Sequence, residues 1–68
     1  MEEKRIQMAN DFARRHRFPG AVYLQDWHGY SLFVADEDSF IGLPQYILVA
    51  DDSVRFASPE ETESILFS

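Results

Sequence analysis

The sequence predicts an α+β domain of order α-β-β-β-β-α: an N-terminal helix packed on a four-stranded antiparallel meander, then a short C-terminal helix. Three observations predict it. Apolar residues recur at helical spacing over residues 3–17, two pairs of β-rich runs follow with tight turns between them, and Ser58-Pro59-Glu60-Glu61 has the form of a helix start. With 68 residues, the chain makes one small domain, 1–68.

The first helix rests on Ile6, Ala9, Phe12, Ala13 and His16, three or four residues apart, with Met8 on the i+4 row to Phe12. Glu2 and Glu3 suit the positive end of its dipole, and Arg14, Arg15 and Arg17 suit the negative end. Pro19-Gly20 stops it. Residues 21–27 and 30–36 are rich in β-branched and aromatic side chains, and His28-Gly29 between them marks a hairpin. Asp36-Glu37-Asp38 and Gly42-Leu43-Pro44 bracket a loop that holds Phe40 and Ile41. A third strand over 45–50 and a fourth over 53–57 are joined by Asp51-Asp52, which turns because aspartate bonds its own backbone. Serine as N-cap, proline at the first helical position and glutamate three residues after the serine make a capping box, so a helix over about 59–66 follows.

Strand alternation assigns the faces. The Asp51-Asp52 turn sets Ala50 opposite Ser53, Val49 opposite Val54, Leu48 opposite Arg55 and Ile47 opposite Phe56. Around His28-Gly29 the same rule sets Trp27 opposite Tyr30, Gln25 opposite Leu32, Leu24 opposite Phe33 and Tyr23 opposite Val34. Val22, Leu24, Phe33, Ala35, Ile47, Val49, Val54 and Phe56 then face the first helix. The expected core is Ile6, Phe12, Leu24, Phe33, Ile47, Val49, Val54 and Phe56. The opposite face shows Tyr23, Trp27, Tyr30, Leu32, Val34, Tyr46 and Leu48, too much apolar surface to leave in water on so small a monomer. Its cover is the C-terminal helix through Ile65 to Phe67, a second copy of the chain, or a dedicated ligand or partner. Chains this small usually need a staple, and with no cysteine this one has no disulfide, so pairing as a homodimer is an expected source of stability.

The chain carries a net charge of -6, unevenly placed. Residues 1–17 hold five basic side chains against three acidic, a net of +2; residues 18–68 hold Arg55 against nine acids, a net of -8. The acids lie on the sheet side, where single-stranded RNA would need basic groups beside stacking aromatics, so no nucleic-acid partner is expected. The longest apolar stretch, residues 46–50, is too short for a bilayer, and no apolar run follows the charged start, so neither a membrane segment nor a secretory signal is expected. Cysteine-free composition fits a reducing compartment, and the cytoplasm is the expected location.

Reactive constellations are missing as well. His16 and His28 stand without the clustered ligands that a structural zinc site requires, and thiolate ligands are excluded. The consecutive acids at 36–38 lack the alternation and late glutamate of a calcium loop. Ser58 is explained as a cap, Ser31, Ser39 and Ser53 have no histidine at a recognisable spacing, and three glycines form no phosphate loop. The sequence therefore predicts no catalytic residue, no metal and no cofactor, and a non-enzymatic protein-interaction module that self-associates through the aromatic sheet face. The alternative is an acidic inhibitor or immunity-type protein that masks a basic protein partner with residues 36–38, 51–52 and 60–63.

Gly42-Leu43-Pro44-Gln45-Tyr46-Ile47-Leu48-Val49, followed by Arg55-Phe56-Ala57-Ser58-Pro59-Glu60-Glu61, resembles the second half of small uncharacterised bacterial α+β proteins. They share the N-terminal helix, the hairpin, the Leu-Pro strand and the Ser/Thr-Pro-Glu-Glu start. The resemblance implies a bacterial single-domain protein and brings no activity, ligand or catalytic residue.

Overall fold

The computed structural model describes residues 3–36 and 45–67. Helix α1 (Glu3–Arg15) precedes strands β1 (Ala21–Trp27), β2 (Tyr30–Ala35), β3 (Tyr46–Val49) and β4 (Val54–Phe56), and helix α2 (Pro59–Leu66) follows. All neighbouring strands are antiparallel and lie in the order β1-β2-β3-β4, so the meander has β1 and β4 at its edges. The predicted α-β-β-β-β-α order is the order observed. Glu37 to Pro44, including the predicted loop around Phe40 and Ile41 and two of the three acids at 36–38, lie outside the described residues.

Helix α1 ends two residues before the predicted Arg17, for a local reason. Arg17 takes a positive φ of 70°. With the chain so reversed, the Phe18 N–H donates to the Ala13 carbonyl at 3.0 Å and the Arg17 N–H to the Arg14 carbonyl at 3.1 Å. These two bonds are the Schellman motif that satisfies otherwise orphaned carbonyls at a helix end. The reversal also tucks Phe18 against the core. Asn10 then guides the chain into the sheet: its side-chain oxygen accepts from the Ala21 N–H at 3.0 Å. Gly20 leaves room for that contact, because a Cβ there would lie 2.8 Å from the same oxygen and displace it from its bond to Ala21.

One face of the sheet packs on α1 through Ala9, Ala13, Phe33, Ala35, Ile47 and Val49, with Phe12, Phe18, Val54 and Phe56 partly buried around them. The rings of Phe12 and Phe56 meet edge to face at 4.7 Å, and His16 packs between them and solvent at 4.5 Å from Phe12 and 4.8 Å from Phe56. At the other end of α1, the Arg5 guanidinium donates to the buried Ser31 hydroxyl at 2.9 Å and to the Asp51 carboxylate at 2.6 Å. Ile6, expected in the core, is 38% exposed, because α1 presents its Ala9–Ala13 stripe to the sheet and leaves Ile6 at the flank.

The second hairpin has the predicted register: Ile47 faces Phe56, Leu48 faces Arg55 and Val49 faces Val54. The first departs from it. Trp27 pairs with Tyr30 and Gln25 with Leu32, but Tyr23 pairs with Phe33 rather than Val34, and Val22 pairs with Val34. A bulge at Leu24 adds one residue to β1, and side-chain alternation reverses on its N-terminal side. Tyr23 therefore lies on the α1 side, its ring 5.6 Å from Phe33. Leu24, predicted to be core, is 46% exposed, and Val22 moves to the opposite face with 51% exposed.

Candidate interaction site

Six of the seven residues expected to form an aromatic face do share one. Leu32, Tyr46 and Leu48 are buried there, with Trp27, Tyr30 and Val34 half-buried around them; Tyr23 is excluded by the bulge. The cover is α2, whose Ile65 is buried against Leu32, Tyr46 and Leu48. Leu66 and Phe67 do not join it: Phe67 is 81% exposed. The middle of the face is thus internal core, and only its rim is left partly exposed.

What fixes α2 over the sheet is a set of polar contacts at its first turn. The Glu61 N–H donates to the Ser58 hydroxyl at 3.1 Å and the Ser58 N–H to the Glu61 carboxylate at 2.9 Å, the complete capping box. Arg55 projects from β4 beside Leu48 and donates to both Glu61 oxygens, at 2.6 and 2.9 Å. A bidentate charge-assisted pair of this kind is directional as well as attractive. It holds the Glu61 carboxyl well below the usual range, at about 2, with the Ser58 N–H adding to the effect, and raises Arg55 above its already high value. The same guanidinium lies over the Tyr30 ring, 5.3 Å from its centroid.

Two surfaces stand out among the described residues. One is a shallow cleft of about 360 Å³ between the hairpin turn and α2, lined by Trp27, His28, Tyr30, Glu60, Glu61 and Ser64. The turn that shapes it puts both His28 and Gly29 at positive φ, 49° and 83°, the conformation that matches the twist of a two-residue hairpin. The His28 ring stands edge to face against Trp27 at 4.2 Å. The other is the outer edge of β1, exposed from Val22 through Asp26. Its one charged side chain, Asp26, accepts from the Tyr23 hydroxyl at 3.1 Å.

Sequence reasoning placed Trp27 and Tyr30 on the candidate face and residues 60–63 on an acidic surface, but it did not join them in one cleft, and it did not see the open edge of β1. That Arg55 shares the Leu48 row was the signal tying it to α2. No residue at the bulge marks the exposure of β1, since Leu24 is neither glycine nor proline.

Comparison with family models, curated proteins and solved structures finds no match to this chain. Among the described residues, no group of three or more histidine, aspartate or glutamate side chains is placed to hold a metal ion, and no helix is long and apolar enough to cross a membrane.

Proposed function

We propose that this chain is a small, non-enzymatic, cytoplasmic interaction module that pairs with a second copy of itself through the edge strand β1. The observation that carries the reading is the exposure of β1 from Val22 through Asp26 at the rim of the sheet, with no neighbouring strand on that side among the described residues. Long apolar edges are usually blunted by lysine, proline, a bulge or a covering element; β1 has neither lysine nor proline, and its bulge at Leu24 interrupts the edge without closing it. A second copy suits it because β1 carries one charge, so two chains of net charge -6 meet there with the least repulsion. Pairing about a two-fold axis would join two four-stranded sheets into one. The bulge at Leu24 divides the regular edge into residues 21–23 and 25–27, which favours a weak, concentration-dependent dimer at the low end of stable interfaces, on the order of 1,200 Å².

Sedimentation over a concentration series tests it. Dimer should form at high micromolar concentration, and Leu24→Lys should remain monomeric with an unchanged thermal melt. A parent chain that stays monomeric at high micromolar concentration, or a lysine variant that dimerises equally well, refutes the pairing.

The alternative, an acidic protein that masks a basic partner, is supported by the exposure of Asp36, Asp52, Glu60 and Glu63. It is weakened because Asp51 and Glu61 are already paired with Arg5 and Arg55. Partner capture that disappears with added salt would favour it over the apolar edge.

A further inference from the structure

We infer that the cleft between the His28-Gly29 turn and the start of α2 binds a quaternary ammonium group. The lining combines two aromatic rings, Trp27 and Tyr30, with two carboxylates, Glu60 and Glu61. Aromatic rings attract cations through the negative face of the π system, and tryptophan does so best. The site already holds an internal example of this chemistry: Arg55 lies over Tyr30 while pairing with Glu61, which leaves Trp27 as the ring for a further cation.

The local charge decides what kind of cation is left room. Arg55 neutralises Glu61, and Glu60 has no ion pair among the described residues, so one negative charge remains. The partial positive charge at the α2 N-terminus offsets part of it. A compact ammonium would lose strong hydration for a weak field in an open cleft. A quaternary ammonium loses far less on desolvation, and its methyl groups pack on Trp27 and beside the edge of Tyr30 while its spread charge faces Glu60. Trp27 therefore supplies most of the selectivity and Glu60 a smaller share. Trp27 also ends the β1 edge, so binding is measured at low micromolar concentration, below the range in which β1 is proposed to pair.

Trp27 is the single tryptophan, so its emission reports the cleft directly. The full chain, at low micromolar concentration, is titrated with choline, with N-acetyl-trimethyllysine amide and with 3,3-dimethylbutanol, the neutral carbon counterpart of choline. Amide chemical shifts of Tyr30, Glu60 and Ser64 give a second readout. Saturable binding of a quaternary ligand is expected, with the neutral alcohol at least about twofold weaker, the ratio that one exposed cation–π contact supplies. Glu60→Gln should weaken binding about two- to fivefold without changing the melt, and Trp27→Leu, read by amide shifts, should weaken it more. Preference for choline identifies a free ligand or headgroup as the source, and preference for the lysine derivative identifies a modified peptide; either supports the inference. Equal binding of the neutral alcohol, a response that does not saturate, or shifts centred away from the cleft overturns it.

Discussion

The two faces of the sheet are buried by different means. On the α1 face, a thirteen-residue helix lays Ala9 and Ala13 against Phe33, Ala35, Ile47 and Val49, so many side chains share the burial. On the other face an eight-residue helix contributes one buried apolar side chain, Ile65, over Leu32, Tyr46 and Leu48. The helices are also fixed differently. Helix α1 is held at both ends, by Arg5 on Ser31 and Asp51 and by the Arg17 reversal, whereas α2 is held at its N-terminus by Ser58 and the Arg55–Glu61 pair. A face with few buried contacts can still be ordered if polar geometry aims the helix, and such a face is also the easier one to open.

Phe33→Ala should have the largest effect. The ring is 1% exposed at the centre of the α1 face, and deleting it should cost about 3–5 kcal/mol, enough to unfold most of so small a domain. A denaturant titration at room temperature measures it. Ile65→Ala should cost about 2–4 kcal/mol, and its effect should be local: faster amide exchange in α2 and around Leu48, with α1 still protected. Simultaneous loss of protection in both helices would show that the two faces open as one unit and would break the comparison.

The remaining changes test the helix ends. Arg17→Gly should stabilise the protein by roughly 0.5–1 kcal/mol, because glycine takes the left-handed conformation without the Cβ clash, and a raised midpoint checks it. Glu61→Gln keeps an oxygen for the capping box but removes the charge facing Arg55. Because the pair is partly solvated, the cost should be about 0.5 kcal/mol near neutral pH. A depressed carboxyl stabilises the fold above its unfolded value of ~4.3 and loses that contribution as pH falls through the folded value. The gap between parent and Glu61→Gln melts should therefore close between about pH 4.3 and about 2, the folded value of Glu61.

The sequence by itself determined the elements and their order, because each is specified locally. Helical spacing defines α1, His28-Gly29 and Asp51-Asp52 define the turns, and Ser58-Pro59-Glu60-Glu61 defines the start of α2, as the hydrogen bonds of the capping box bear out. Register in the second hairpin was equally legible, since its turn and its apolar alternation agree. Only the tertiary structure decided the faces of β1. An inserted bulge residue reverses every side chain on one side of it, and Leu24 is chemically no different from a core leucine. The cover of the second face was left open among α2, a second copy and a partner. Ile65 lies seventeen positions from Leu48 in the chain, and only the packed structure brings it there, with Arg55 on the Leu48 row meeting Glu61 of α2. Local hydrogen bonding and periodicity are written residue by residue; the packing of one element on another depends on where all of them end.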